Sequence, residues 1–350
     1  MIKLQIEKVT LDQQARRLES YFHYTSAWHV VLVGLDLGLF QALFTLGRPV
    51  SSDELAAKRK LNKAYIGVWC RTAYALGLLD IDERGAYHLA PHIDKFLGDT
   101  DSPFYLGKMS HFLSDLIKSY QHYPKLFKST RTVRYAKDSE ALSRTIAEST
   151  KIIPPFVVQQ ILPEYSATDA KLLKGGRALD IGCGEALALI TICQRYPRGR
   201  AEGIDIDKSA IKRGLARIKR EKLVKKITLQ AVSAAKFRPK HKYDLILSIL
   251  TFQYLSDSER NTILSLAHRS LEDEGMLMIV EDNYPSDPAE LQHPDYLPAV
   301  IAQWYKLGLG SRMLSYQALA DLLSKHHFKD IKYTRLLNNK LMVVTARKAT

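Results

Sequence analysis

In the stretch RALDIGCGEALALI, residues 177–190, Asp180 closes a short apolar run two residues before Gly182, and Gly184 follows. Glycine loses more conformational freedom on folding than any other residue, so two of them at one turn imply that a missing Cβ is useful there. A glycine turn after a strand could cradle the pyrophosphate of a dinucleotide. The third glycine of that motif would fall at position 187, which is Leu187, and a carboxylate at the mouth of the turn repels phosphate. Asp180 instead suits a ligand carrying an ammonium and a sulfonium, and S-adenosylmethionine is such a ligand. A second acid, Asp205, ends the next apolar run, AEGIDID, 23 residues after Gly182. An acid there can accept hydrogen bonds from both hydroxyls of a ribose. It serves either nucleoside ligand, so Asp180 makes the choice between them.

The elements that must position these acids are legible as a change of pattern after Lys174. Short β-rich runs, RALDI, AEGIDI, ITLQAV, YDLILSI and GMLMIVE, alternate with helical segments. That alternation predicts a doubly wound, mostly parallel sheet of the α/β class. Near the end, YTRLLNNKLMVVTAR reads as two strands joined tightly through Asn338 and Asn339.

The first hundred residues read differently. SSDELAAKRK has a serine cap at Ser51 with Glu54 three residues on, the spacing of a capping box. NKAYIGVWCRTAYALGLL repeats apolar residues at helical intervals. In LDIDERGAYHLA two short runs flank Glu83, Arg84 and Gly85, which predicts a hairpin. Helices followed by a hairpin are the order of a winged helix. Residues 101–170 read as a helical connector that Pro154 and Pro155 break, with a boundary near Pro163.

Composition bounds the function classes. Three scattered cysteines, Cys70, Cys183 and Cys193, are too few for a disulfide framework or a zinc site, so no metal is expected and a reducing, cytoplasmic compartment is. The greasy stretch 27–44 carries Asp36 near its middle, which is expensive in lipid; a helix buried in a protein interface is expected, and no membrane. The formal charge is +14, and residues 208–242 hold thirteen lysines and arginines against one acid, Glu221. Such a run is either a solvated face or a polyanion patch. No aromatic residue interleaves KSAIKRGLARIKREK to stack bases, so nucleic acid is the weaker reading, though not excluded.

From LLKGGRALDIGCGEAL to LEDEGMLMIVED, with KYDLILS as a fourth strand and SLEDEG before a fifth, the chain resembles the class I S-adenosylmethionine-dependent methyltransferases. The resemblance spans roughly residues 172–350. The N-terminal half resembles the winged-helix dimerisation domain of small-molecule O-methyltransferases. The resemblance implies a winged-helix dimerisation domain at 1–100, a helical connector roofing the substrate pocket at 101–170, and a Rossmann-like methyltransferase domain with a seven-stranded sheet at 171–350. It implies a homodimer and a small-molecule methyl acceptor. Asp180, Gly182 and Gly184 would line the methionine end of the cofactor. Asp205 would hold the ribose, Ile206 would lie beside the adenine, and Ser233 would reach the adenine amino group. Ser248 would end the fourth strand beside the methyl-transfer site. Ala186 replaces the last glycine of the usual loop.

The family's general base, a histidine after the fourth strand, aligns with Gln253 in FQYLSDSERNTIL. Glutamine takes no proton at neutral pH, so Gln253 is expected to orient the acceptor, with His111 and His293 as alternative bases lining its site. The acceptor is then already ionised, or is a nitrogen, carbon or sulfur. The alternative from another class is a cofactor-responsive winged-helix regulator that keeps the S-adenosylmethionine site.

Overall fold

The computed structural model describes residues 9–102, 104–107, 117, 120–129, 140–307 and 310–349, without the side chains of 141, 142 and 145. The chain divides into two compact units, Met1–Asp115 and Leu116–Thr350.

The first unit is built from α1 (Leu11–Asp36), α2 (Leu39–Leu46), α3 (Ser52–Arg59) and α4 (Lys63–Ala75), followed by an antiparallel hairpin of β1 (Leu79–Ile81) and β2 (Tyr87–Leu89). Val50 adds a single bridge to Tyr87. The run 27–44 is not one continuous helix. It breaks after Asp36, where Gly38 turns at φ 63°, and α2 leaves at 62° to α1. Leu39 and Phe40 are thereby fully buried in the unit's own core, with Phe40 edge-on to Trp69 at 5.3 Å. Gly34 permits this closeness, since a Cβ there would lie 2.3 Å from the Phe40 ring. Among the described residues no single helix is long and apolar enough to cross a membrane. Ser51 caps α3 by accepting from the Glu54 amide at 3.1 Å. The reciprocal half of the capping box is missing, because the Glu54 carboxylate turns to Arg48 instead.

The second unit holds a seven-stranded sheet: β3 (Arg177–Ile181), β4 (Arg200–Asp205), β5 (Ile227–Ala231), β6 (Tyr243–Ile249), β7 (Leu271–Asp282), β8 (Phe328–Leu336) and β9 (Leu341–Lys348). Their spatial order is β5-β4-β3-β6-β7-β9-β8. The first five are parallel, and β9 joins β7 and β8 antiparallel. Helices cover both faces, so both sides of a central strand must be apolar. Leu277 and Ile279 of β7 enter one core, while Met276, Met278 and Val280 enter the other. β7 starts earlier than the apolar run predicts, at Leu271, because a bulge opposite Tyr243 and Leu245 lets LEDE join the ladder. The final hairpin turns through Leu337, Asn338 and Asn339, all at φ between 51° and 64°, and asparagine is the non-glycine residue best suited to that region. Pro154 and Pro155 open the short helix Ile153–Phe156 rather than breaking one, since first-turn amides need no intrahelical acceptor.

Candidate active site

Chain order reverses at β3, which has β4 on one side and β6 on the other. Loops leaving the carboxyl ends of strands diverge at such a point and open the crevice in which open α/β sheets bind ligands. Asp180 lies here, 3% exposed, and its Oδ1 is buried without a hydrogen-bond partner among the described residues. Burial, with Asp205 nearby, pushes its carboxyl up to about 8. An unsatisfied buried carboxyl is costly, and a cationic ligand would relieve it. Asp205 is better placed. Its two oxygens accept from the amides of Gly184 and Asp207, each at 2.8 Å. Burial still raises its carboxyl, against the pull of those amides.

The two glycines do different work. At Gly182, φ 83°, a Cβ would meet Thr251 Oγ1 at 2.2 Å, so this glycine lets the loop after β6 close onto the loop after β3. At Gly184, φ 50°, a Cβ would meet nothing within 4 Å, which leaves open space over the loop. Ala186 holds the third left-handed position, φ 64°, as the residue before the helix Leu187–Arg195. Between them Glu185 binds Arg213 at 2.6 Å and Arg217 at 2.7 Å, both from the helix Lys208–Arg220. Burial opposes the Glu185 charge, but the two guanidiniums outweigh it and hold its carboxyl below the usual range. Two of the thirteen basic residues at 208–242 therefore serve the glycine loop rather than a free surface.

Glu281, the penultimate residue of β7, is a buried acid beside the Gln253 loop that the sequence did not single out. It is 4% exposed. Its Oε1 accepts from the amides of Thr251 and Phe252 at 2.8 Å, and its Oε2 from that of Gln253 at 3.3 Å. Burial and the adjacent Asp282 push this carboxyl up to about 8 against those amides. From the other side the buried Arg260 donates to the Phe252 carbonyl at 3.0 Å and to the Arg312 carbonyl at 2.6 Å. The loop carrying Gln253 is thus clamped twice. Gln253 is 2% exposed, and its Oε1 accepts from Lys306 at 3.1 Å. Lys306 also pairs with Asp282 at 2.5 Å. The signal for Glu281 was present in GMLMIVE, an acid ending an otherwise apolar central strand, as Asp180 does.

The remaining expected residues are divided. Ile206 is 38% exposed beside Asp205. Half-buried Ser233 follows Val232, whose amide donates to the Asp205 carbonyl at 2.8 Å. Asp180, Gly182, Gly184, Asp205, Ile206 and Ser233 are therefore gathered at the carboxyl ends of β3, β4 and β5. Ser248 is fully buried and donates to the Ile181 carbonyl at 3.1 Å, tying β6 to β3 just before Gly182. His293 is exposed near Asp295, in a cleft of about 430 Å³ shared with Glu290, Tyr296, Arg335 and Asn339. It has no described contact with Gln253. His111 lies outside the described residues.

Comparison with known proteins agrees with this geometry. The model of a family described as "Methyltransferase domain" matches residues 178–275, from β3 to the start of the apolar part of β7. An uncharacterised protein of Rickettsia prowazekii is 28% identical over 140 residues, 38% of this chain. The chain spans about half of that relative, 56% of its length. An O-methyltransferase family protein from Burkholderia thailandensis superposes with a TM-score of 0.74 at 12% identity, covering 97% of this chain and 99% of that one. Human N-acetylserotonin methyltransferase, solved in complex with S-adenosylmethionine, has a TM-score of 0.68 at 18% identity, covering 98% and 100%. At these identities the superpositions speak for the fold. Residues 178–275 thus match a methyltransferase-domain family, and the chain shares the fold of solved O-methyltransferases along nearly its whole length, with a mainly helical N-terminal unit.

Proposed function

We propose that this protein methylates a small-molecule acceptor, through oxygen, as a cytoplasmic homodimer with a winged-helix dimerisation domain. The observation that carries the reading is the buried Asp180 Oδ1, without a hydrogen-bond partner among the described residues, together with the open space over Gly184. Both fit S-adenosylmethionine: the carboxylate complements its ammonium and sulfonium, and the space admits its methionine end. Asp205 would take the ribose hydroxyls on lone pairs that its two amides leave available. Ile206 would cover one face of the adenine, and Ser233 would reach its amino group. The cofactor supplies a methyl group already activated by positive sulfur. What is left to the protein is alignment and exclusion of water, and the doubly clamped loop of Gln253 supports an orienting role for that side chain.

Two further observations support the assembly. α1 exposes Leu11, Leu18, Phe22 and Tyr24, each at 59% or more, and large apolar residues on one exposed helix favour a second copy. The order α2, α3, α4, hairpin, with Val50 bridging Tyr87, is that of a winged helix. Light scattering should report a dimer, and a monomer at micromolar concentration would exclude it.

The test of the cofactor reading is calorimetry. Wild type should bind S-adenosylmethionine and its demethylated product, S-adenosylhomocysteine, and Asp205→Ala should lose most of that affinity. Tight NAD binding with no response to S-adenosylmethionine would overturn the proposal.

A further inference from the structure

Lys306 is the last but one residue of the helix Leu297–Leu307. Its amine donates to Asp282 Oδ2 at 2.5 Å and to Gln253 Oε1 at 3.1 Å. An ammonium has three N–H groups, so one remains after these two bonds among the described residues. The side chains of Lys306 and Asp282 keep 14% and 22% of their exposure, so the cluster is nearly enclosed but not sealed. Every member is held. Asp282 ends β7, the Gln253 loop hangs on Glu281, and the Tyr123 hydroxyl contacts the carbonyls of Trp304 and Tyr305 at 3.2 and 3.1 Å. The cluster thus sits at the carboxyl ends of β6 and β7, on the same edge as Asp180. On the same helix as Lys306, Trp304 packs against Tyr123 at 5.4 Å, and Tyr123 against Tyr120 at 5.2 Å.

We propose that Lys306 binds the acceptor oxygen as an anion, in place of a proton-accepting residue at position 253, and that the acceptors are acidic phenols. The inference rests on the methyltransferase reading above. Lys306 acts as a cation and not as a base, because an amine that lost its proton would forfeit the ion pair with Asp282. A single remaining N–H matches the single oxygen of a phenolate, whereas a carboxylate is better met by the two-pronged guanidinium of arginine. The phenol releases its proton to solvent on binding. Its oxygen then uses one lone pair to form the O–CH₃ bond while the S–CH₃ bond breaks and its electrons stay on sulfur. Oxyanion and sulfonium are both consumed, neutral ether and thioether result, and no protein group has to take a proton.

The experiment titrates a chromophoric probe, 4-nitrophenol, on the full chain saturated with S-adenosylhomocysteine, following phenolate absorbance. A cation within about 4–6 Å lowers an acid's pKa by roughly 1–3 units, so the bound probe should ionise at least about tenfold more readily than the free one. Lys306→Met should abolish this shift, and Lys306→Arg, which keeps the charge, should retain part of it. Calorimetry with S-adenosylhomocysteine on the same variants separates the two readings. If the nucleoside binds while the probe does not bind, or ionises alike in wild type and Lys306→Met, the inference is overturned and the methyltransferase reading stands. If wild type fails to bind the nucleoside, both fall.

Discussion

Asp180 and Glu281 are the penultimate residues of two parallel strands of one sheet, and burial pushes both carboxyls up to about 8. Their surroundings differ. Glu281 is cradled by three backbone amides, whereas Asp180 keeps a buried oxygen with no partner among the described residues. The first arrangement organises the protein's own loop. The second holds a binding valence open and is stable only because the rest of the fold tolerates its cost. A buried acid is therefore not by itself a ligand site; what it already bonds decides.

The comparison is broken most directly at Glu281. In Glu281→Ala the amides of Thr251, Phe252 and Gln253 lose their acceptor, and the expected destabilisation is roughly 3–6 kcal/mol. Denaturant unfolding measures it, and a loss below about 1 kcal/mol would mean that Glu281 does not hold the loop. The glycines repeat the contrast one step down. Gly182→Ala drives a Cβ into Thr251 and should cost roughly 2–5 kcal/mol of stability, from left-handed strain plus overpacking. Gly184→Ala meets no neighbour, so strain alone should cost about 1–2 kcal/mol, while S-adenosylhomocysteine affinity falls because the methyl enters the open space. Equal unfolding midpoints for the two variants would refute this division.

Asp180→Asn sharpens the other half. It should weaken S-adenosylhomocysteine by about 1.5–3 kcal/mol, tens- to hundredfold in Kd, while folding stability near pH 8 rises. The sign follows from proton linkage. Asp180 goes from 3.8 unfolded to about 8 folded, and Glu281 from 4.5 to about 8. Over that window the folded state binds more protons than the unfolded one, so stability falls as pH rises. Thermal unfolding from pH 5 to about 8 should show a shallower decline in Asp180→Asn than in wild type. A steeper one would place the titration elsewhere. The smallest effect is expected at Ser248, whose hydroxyl only joins β6 to β3: Ser248→Ala should cost about 1 kcal/mol and leave S-adenosylhomocysteine affinity unchanged.

What the sequence determined alone is what depends on near neighbours. The strands RALDI and YDLILSI coincide with β3 and β6 because apolar runs of strand length bounded by turn residues are a local signal. The Asn338–Asn339 turn and the glycine loop were legible because left-handed φ restricts residue type at a single position. Asp180 and Asp205 could be placed at one crevice because parallel strands of a doubly wound sheet must end on the same edge. Tertiary structure alone decided which groups meet. Lys306 reaches Gln253 across 53 residues and Asp282 across 24, and no periodicity records such a pairing. Ser248 stands where the strand order predicts, and only the folded chain shows that its hydroxyl is taken up by the Ile181 carbonyl. The run 27–44 reads as one greasy helix, and only the tertiary structure shows the break at Gly38 that sets Phe40 against Trp69. Backbone preferences act over a few residues, but side-chain partners are chosen by packing, which brings together atoms the chain keeps far apart.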